Sequence, residues 1–392
     1  MKLKPVDGTP LAHQWWTQQL RGAPTEIVHS ATVSTVDFFC GSGGLSLGAA
    51  RAIEACGMAH VPLAAVDVDT DALTVYAQNF APQAVFAANA ASVIDYHVYG
   101  RGTGAELAYA PELVDRRLEA LIGKVDLVLA GPPCQGHSNL NNHTRRSDPR
   151  NMLYISVAAT AIALRARALV IENVPEVLSD KTNVVGAATQ ILGAAGYCVS
   201  SAVLSATDLG GPQTRRRHLL VATRGRVDHV GIGDVAHSLR QPPMALREII
   251  GDLEAAPYRS FMDDVPATSP ENRSRIDFLF DHGLYDLPDA ERPDCHKNGH
   301  TYPSVYGRLS WDKPSQTITT GFMTPGRGRY IHPGQRRVLT AREAARIQGF
   351  PDTYEFSLNG SPPSKKALTK WIGDAVPCWL GYAAVLSALS SY

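Results

Sequence analysis

Cys134 and Glu172 are the two residues whose types and positions in this sequence are best suited to carry chemistry. Cys134 follows an apolar run and two prolines in LVLAGPPC, and Glu172 ends a second apolar run in ALVIENV. Prolines fix φ and remove amide donors, so GPPC is a poor helix or strand segment and a good rigid loop. A lone cysteine or glutamate is more often structural or solvated than catalytic. If the two strands are neighbours, however, a thiol nucleophile would stand beside a proton donor.

A glycine-rich loop and an aspartate indicate a nucleotide-like ligand near these residues. The loop lies in DFFCGSGGLSLG, where glycines let the backbone come close to a ligand. The dinucleotide pattern G-x-G-x-x-G would need glycine at position 46, where the sequence has Ser46. Asp67 ends the next apolar run, where a carboxylate can accept hydrogen bonds from ribose hydroxyls. Together these features predict an adenosine-type cofactor and leave its identity open.

The elements that must position these residues alternate between strand and helix through the first half of the chain. TVDFF precedes a helix over about 45–56, and PLAAVD, VDLVLAG and ALVIENV each precede a further helical segment. This βαβ rhythm predicts an α/β fold with a doubly wound, mostly parallel sheet. Ligands bind at the carboxyl ends of strands in such sheets, which is where the loop, Asp67, Cys134 and Glu172 all fall.

The rhythm fails between about residues 225 and 335, where prolines and glycines are frequent and apolar runs are short. We interpret this stretch as a second, smaller and irregular domain. A helical pattern returns in TAREAARIQGF, where Thr340 and Glu343 have the spacing of a capping box, and again in WLGYAAVLSALSS. The predicted division is a catalytic and cofactor-binding domain over 1–224 that includes an N-terminal extension over 1–34, the second domain over 225–363, and a C-terminal helix over 364–392 that returns to the first domain.

Composition limits the class of protein. The sequence has 37 Lys and Arg against 37 Asp and Glu, and basic residues cluster only locally, in HTRRSDPR, QTRRRH, GRGRYIHPGQRR and SKK. The six cysteines form no CxxC pair and no zinc-type spacing, so we predict neither a disulfide framework nor a bound metal. No segment has the pattern of an export signal or a membrane span, which predicts a cytoplasmic protein that does not enter a membrane.

Six motifs in this order, between about residues 35 and 385, resemble the motif series of the cytosine-C5 DNA methyltransferases: DFFCGSGGLSLG, GPPCQGHS, ENV, QTRRR, LTAREAARIQGFPD and GDAVPCWL. The resemblance implies the fold of S-adenosylmethionine-dependent methyltransferases and methyl transfer from S-adenosylmethionine to C5 of cytosine in double-stranded DNA. It makes the irregular stretch a target-recognition domain. It also implies a monomer and leaves room for a cognate restriction endonuclease that acts on the same site.

The resemblance assigns catalytic roles that the chemistry explains. C5 of cytosine is a weak nucleophile, so Cys134 would first add to C6 and give an enamine whose C5 attacks the methyl donor. Glu172 would protonate or hydrogen-bond N3, because the addition places negative charge on the ring. Arg217 would hold the cytosine, and Arg215 would brace Cys134 or Glu172. Arg215 and Arg217 alternate along an extended segment, so both can face the same side.

The resemblance also implies two larger sets of binding residues. The cofactor would be bound by Phe39, Gly41, Gly43, Leu45, Asp67, Val68, Pro133, Leu153, Asp374 and Val376. The flipped cytosine and the DNA around it would be contacted by Gln135, Ser138, Gln213, Arg327 and Arg329. Arginines of the basic run 326–337 would contact phosphates and give a salt-dependent affinity.

Three residues depart from the family pattern. His137 stands in the cysteine loop where an aromatic residue is usual, and Asp374 replaces the usual asparagine near the donor. No acidic residue follows the third strand, so Asn89 is the candidate for the adenine contact. None of these departures touches the nucleophile, but each bears on how the cofactor is bound.

Three other functions remain open at this point. A tRNA cytosine-C5 methyltransferase would share the cysteine loop and the cofactor site and would need tRNA in place of duplex DNA. A non-catalytic DNA-binding adaptor would be expected to lack the thiol or the carboxyl, and both are present. A nicotinamide-dependent oxidoreductase is the alternative at the level of the fold, and Ser46 and the cysteine loop count against it.

Overall fold

The structure, a computed structural model, describes residues 11–22, 31–133, 152–225, 230–297 and 304–390. Several residues singled out in the sequence lie outside these ranges: Cys134, Gln135, His137 and Ser138.

Contacts divide the chain into two compact units, each assembled from three segments. The first unit contains Met1–Thr25, Ala206–Arg215 and Gln241–Ala375, and the second contains Glu26–Ser205, Arg216–Arg240 and Val376–Tyr392. The predicted domains divide the chain differently, because they assign the N-terminal segment and residues 206–215 to the catalytic domain. Each unit is defined by contacts between segments that are far apart in the chain. A domain boundary placed at one position in the sequence cannot describe such a unit.

Eleven strands and twelve α-helices are numbered in chain order over the described residues. The strands are β1 (Ala31–Phe38), β2 (Met58–Asp67), β3 (Ala84–Ala87), β4 (Ile94–Asp95), β5 (Val98–Tyr99), β6 (Glu106–Leu107), β7 (Glu112–Leu113), β8 (Leu127–Ala130), β9 (Ala168–Asn173), β10 (Tyr197–Ser205) and β11 (Arg216–Arg224). The helices are α1 (Leu11–Leu20), α2 (Gly44–Ala55), α3 (Thr70–Phe80), α4 (Arg116–Glu119), α5 (Leu153–Ala163), α6 (Val184–Ala194), α7 (Ile232–Ser238), α8 (Leu246–Ile250), α9 (Pro270–Asp281), α10 (Ala341–Gln348), α11 (Lys365–Asp374) and α12 (Cys378–Leu389).

The second unit is built on a seven-stranded sheet in the order β10-β11-β9-β8-β1-β2-β3. The five strands from β9 to β3 in this order pair in parallel, and β11 and β10 extend one edge in antiparallel fashion. All six residues of β9 are buried, as expected for a strand covered on both faces. The predicted α/β fold with a mostly parallel sheet is confirmed.

Helices α2 and α12 pack closely against each other in the second unit. A Cβ added to Gly48 of α2 would lie 2.6 Å from the carbonyl oxygen of Cys378 and 2.8 Å from the Cα of Gly381. Glycine is therefore required at position 48 for the two backbones to approach. Through this contact the C-terminal helix completes the unit that contains the sheet.

The first unit is irregular, and its described residues form isolated bridges in place of a named sheet. One apolar cluster joins Ile276 and Leu279 of α9 to Val305, Ile331 and Val338. The predicted capping box of α10 is confirmed: the amide of residue 343 donates to Thr340 Oγ1, and the amide of residue 340 donates to Glu343 Oε2 at 2.8 Å.

Over the described ranges, no single helix is long and apolar enough to cross a membrane, although α11 and α12 reach that length and composition when they are taken together.

Candidate active site

Strands β8 and β9 bring the GPP and ENV segments side by side. They pair in parallel, with Ala130 opposite Ile171, so the two segments leave the sheet as neighbours. A Cβ on Gly131, the first residue after β8, would lie 3.6 Å from Glu172 Oε2. Asn173 Nδ2 donates to the carbonyl oxygen of Pro132 at 3.4 Å and ties the two segments together. The two strands are neighbours, which is the condition for the thiol to lie near the carboxyl, and position 134 is three residues beyond Gly131.

Glu172 and Arg217 form a largely buried ion pair on one face of the sheet. Leu219 of β11 is the antiparallel partner of Glu172, so Arg217, two residues earlier, points to the same face. Arg217 Nε lies 2.6 Å from Glu172 Oε1, and the side chains are 15% and 9% exposed. The ion pair holds the Glu172 carboxyl in place on this face of the sheet.

Arg215 lies just before β11 and belongs to the first unit. Its guanidinium donates to three backbone carbonyl oxygens: Nη1 to those of Ile318 and Gly373 at 2.8 Å, and Nη2 to that of Asp374 at 3.2 Å. A Cβ on Gly373 would lie 2.4 Å from the backbone of Thr319, so these segments meet backbone to backbone. Arg215 therefore holds two segments of the first unit together, and a brace to Cys134 or Glu172 stays a prediction.

The glycine loop after β1 is held by Asp67 at the end of β2. Phe39, Gly41 and Gly43 have φ of 57°, 49° and 89°, in the left-handed region that favours glycine. Asp67 Oδ2 accepts from the amide of Gly41 at 2.8 Å, and Oδ1 accepts from the amide of residue 69 at 2.9 Å. Each carboxylate oxygen has a second lone pair, so Asp67 can hold the loop and still accept a ribose hydroxyl.

The surroundings of this loop fit an adenosine-type cofactor. A Cβ on Gly41 would meet nothing within 4 Å, so the loop backbone borders open space. Val68, next to Asp67, is 70% exposed and offers an apolar surface beside that carboxylate. A carboxylate, an open glycine backbone and an exposed apolar side chain are the groups that a ribose and a purine need.

The other predicted cofactor residues are in more varied positions. Leu45 is buried, and its Cδ1 would lie 3.2 Å from a Cβ on Gly381 of α12, so its side chain packs toward that helix. Asp374, in the first unit, forms an ion pair with Lys370 at 2.9 Å. Pro133 and Leu153 are half-buried, and Val376 is buried. Their contacts with a cofactor stay predictions.

Asn89, the candidate for the adenine contact, follows β3 and is exposed. Its Oδ1 accepts from the amide of Ala91 at 3.0 Å and caps a short 3-10 helix. The side-chain amide nitrogen can still donate, so the contact stays a prediction.

Asp37 is a polar residue beneath the glycine loop that sequence reasoning did not single out. Ser46 Oγ donates to Asp37 Oδ2 at 2.6 Å and lies 2.8 Å from Tyr76 Oη. Asp37 is 1% exposed, and its Oδ1 receives no hydrogen bond. Burial, reinforced by the nearby Asp67, raises the pKa of Asp37 to about 8 against the lowering effect of the Ser46 hydrogen bond. The carboxyl is therefore neutral at pH 7.

This cluster gives Ser46 a physical role. The serine at the position where a dinucleotide loop would have glycine connects α2 to the end of β1 and to Tyr76 of α3. An aspartate inside VDFF, at the buried end of β1, is the sequence signal that could have revealed the cluster.

The predicted DNA-contacting residues of the first unit fall into two groups. Gln213 is fully buried and donates to the carbonyl oxygen of residue 347 and to Gln348 Oε1, so it acts as a framework residue. Arg329 donates to two carbonyl oxygens and forms an ion pair with Asp286. Arg327 is exposed on a 3-10 turn, and over the described ranges no carboxylate forms an ion pair with it. Of the two arginines, Arg327 is the one free to contact a phosphate.

A metal site was searched for in the same ranges. The described parts of the chain contain no group of three His, Cys, Asp or Glu residues placed to hold a metal ion.

Comparisons with known proteins identify the family. Residues 33–388 match the family model described as C-5 cytosine-specific DNA methylase. The chain is 37% identical over 372 residues to the Type II methyltransferase M1.BsuMI of Bacillus subtilis, covering 95% of this chain and 84% of that protein. It is 30% identical over 365 residues to the Type II methylase M.HgiDII of Herpetosiphon aurantiacus, covering 89% and 92%.

Solved structures show the same fold. The S. pombe Dnmt2 methyltransferase has a TM-score of 0.58 at 16% identity, covering 92% of this chain and 97% of that one. A putative DNA modification methyltransferase of an E. coli prophage has a TM-score of 0.54 at 20% identity, covering 92% and 99%. The chain belongs to the C-5 cytosine-specific DNA methylase family. The predicted family and its activity, methyl transfer to C5 of cytosine in DNA, are confirmed.

Proposed function

We propose that this methyl transfer takes its methyl group from S-adenosylmethionine and passes through a covalent bond between Cys134 Sγ and C6 of a cytosine flipped out of double-stranded DNA. The parallel pairing of β8 with β9 carries the proposal, because Gly131 would contact Glu172 and only three residues separate it from Cys134. Three residues span at most about 10 Å. The thiol can therefore work at the same cytosine as the Glu172 carboxyl.

Glu172 and Arg217 supply acid–base control of the ring. As Cys134 adds to C6, negative charge develops on the cytosine, and a proton or hydrogen bond from Glu172 at N3 neutralises it. The largely buried ion pair with Arg217 supports this role, because it orients the Glu172 carboxyl near Gly131, three residues before Cys134. C5 then attacks the methyl group, and loss of the C5 proton followed by loss of the thiol restores the aromatic ring.

The cofactor residues act by binding and orientation. S-adenosylmethionine, when bound, supplies a methyl group activated by a sulfonium. Asp67 would accept the ribose hydroxyls, Val68 would border the purine, and Gly41 and Gly43 would let the loop backbone approach. The remaining residues of the proposed site are Phe39, Leu45, Pro133, Leu153, Asp374 and Val376.

DNA contacts would come from both the cysteine loop and the first unit. Gln135 and Ser138 would contact the flipped cytosine, and Arg327 would contact a phosphate. We assign Gln213 and Arg329 an indirect role in DNA binding, because protein groups already bind their side chains.

The setting is proposed from the relatives. Two are named Type II methyltransferase or methylase. We propose that this chain acts as a monomer in the bacterial cytosol. There it would methylate the DNA sites that a cognate restriction endonuclease cleaves and so protect them.

Replacing the nucleophile tests the mechanism directly. Cys134→Ala should reduce methyl transfer from labelled S-adenosylmethionine to below about a thousandth of wild type, because the attacking atom is gone. Binding of duplex DNA should be retained. Cys56→Ala is the matched control, since Cys56 is exposed on α2's C-terminal turn and has no proposed role. Full activity of Cys134→Ala would refute the covalent mechanism.

A substrate that stalls the reaction tests the covalent step. Fluorine at C5 cannot leave as a proton does, so duplex DNA with 5-fluorocytosine at the target should form a denaturation-stable complex with wild type and none with Cys134→Ala. Methylation of tRNA in preference to duplex DNA, measured in parallel, would contradict the proposed substrate. Bisulfite sequencing of DNA from expressing cells would report the target sequence.

A further inference from the structure

Helix α1 lies before the residues that the family match covers. The match begins at residue 33, and α1 spans Leu11–Leu20. Its contacts place it in the first unit, with the irregular stretch, and not with the sheet that follows it in sequence. Neither the family nor the proposed chemistry accounts for this helix.

A buried histidine fastens α1 to the region around α8. His13 is 3% exposed, its Nδ1 lies 3.0 Å from Glu248 Oε2, and its Nε2 lies 2.9 Å from the carbonyl oxygen of Pro242. Both ring nitrogens of His13 therefore face an oxygen of the region around α8. Glu248 also accepts from the amide of Ala245 through Oε1 at 2.8 Å, at the start of α8. One carboxylate therefore joins α1 to the first turn of α8.

The C-terminal end of α1 reaches a second group of charges. The carbonyl oxygen of Leu20 accepts from the amide of Asp352 at 2.8 Å, and Arg21 Nε lies 3.5 Å from Asp252 Oδ2. The same two aspartates bind Arg346 of α10, which is 1% exposed. The end of α1 and the residue after it therefore contact Asp352 and Asp252, the two residues whose carboxylates bind Arg346 of α10.

Helix α10 in turn holds the end of the basic run. Arg337 donates to both carboxylate oxygens of Glu343, at 2.8 and 2.6 Å, and both side chains are buried. Ordered contacts therefore lead from His13 through α8 and α10 to the segment that carries Arg327.

We propose that α1 is a built-in brace of the target-recognition unit, and that His13 is a positioning residue that sets DNA affinity and sequence preference without touching DNA or cofactor. The inference rests on the proposed DNA binding by the first unit. His13 acts through the contacts of its two ring nitrogens, which tie α1 to the Pro242 carbonyl and to the Glu248 carboxylate at the start of α8.

The test compares full-length variants on duplex DNA. His13→Ala should raise the KM for DNA about tenfold and broaden the set of methylated sites, because it removes the contacts with both Glu248 and Pro242. The value of kcat at saturating DNA and the Kd of S-adenosylmethionine by calorimetry should remain at wild-type values, because the sheet unit contains the proposed catalytic groups Glu172 and Arg217. Gln18→Ala, an exposed change on the same helix, is the matched control and should behave as wild type.

Two further variants keep the outcome interpretable. His13→Gln retains one donor and should recover part of the lost DNA affinity, which a role in general stability alone would not predict. Arg21→Ala removes an exposed ion pair with Asp252 and should raise the KM for DNA only about twofold. This variant tests the brace independently if His13→Ala folds poorly. Wild-type KM and site preference in His13→Ala would overturn the brace. Failure of the wild type itself to methylate duplex DNA would instead overturn the proposed function.

Discussion

At the scale of single residues, two buried carboxyl groups of the sheet have different partners. Glu172 is paired with Arg217, whereas Asp37 accepts from the Ser46 hydroxyl and lies near Asp67. A buried carboxyl without a cation is more stable in its protonated form. Asp37 therefore connects β1 to α2 through Ser46, whereas Glu172 is the carboxyl for which we propose a role in catalysis.

Asp37 predicts a pH dependence of stability. Its pKa is about 8 in the folded chain against 3.8 as the ordinary value, so folding binds a proton between these values. Its contribution to stability is fully present below pH 3.8 and is lost as the pH rises toward about 8. Asp37→Asn cannot ionise at this position. Its free energy of unfolding in urea, relative to that of wild type, should therefore increase from pH 5 to pH 8 and then level off. A difference that does not change with pH would contradict a neutral Asp37.

At the scale of elements, the close approach of α2 and α12 completes the sheet unit. Gly48→Ala would place a Cβ 2.6 Å from backbone, so the helices must separate, at a cost of about 1–3 kcal/mol in unfolding free energy. Gly193→Ala in α6 is the matched control, because a Cβ there meets nothing within 4 Å. Gly193→Ala should raise the free energy of unfolding by about 0.5–1 kcal/mol through helix propensity alone. Chemical denaturation of both variants measures the contrast, and equal effects would contradict the packing argument.

At the scale of the whole molecule, zero net charge means that DNA affinity depends on local basic groups. The formal charges balance at 37 of each sign. Arg329 and Arg337 are engaged by carboxylates, whereas Arg327 is exposed without one over the described ranges. If the basic run 326–337 contacts DNA as proposed, we expect it to neutralise fewer phosphates than it has arginines.

This view predicts the salt dependence of DNA binding. Arg327→Ala should weaken binding to all sequences alike and reduce the slope of log K against log salt by about one. Arg101→Ala, an exposed arginine of the sheet unit outside the basic run, controls for the loss of one positive charge. Fluorescence anisotropy between low and moderate salt measures both. Equal slopes for Arg327→Ala and wild type would show that Arg327 makes no phosphate contact.

Much of the site could be predicted because strand ends in a parallel sheet meet at one edge. The apolar runs before Cys134 and Glu172 predicted two strands, and β8 and β9 are neighbours as expected. Glycine positions predicted the loop after β1, and the capping-box spacing predicted the start of α10. These features depend on local patterns with a period of two or 3.6 residues, or on a cap formed within one turn.

The α/β sheet, the glycine loop and the family motifs can be predicted from the sequence, because each depends on residues that are close together in the chain. The partners of His13, Arg215 and Asp37 are known only from the tertiary structure. His13 meets Glu248 across 235 residues, and Arg215 meets the carbonyl of Gly373 across 158. Ser46 and Asp37 are only nine apart, but their contact requires strand and helix to pack. Such contacts form when distant segments exclude water together, and no local period records which segments will meet.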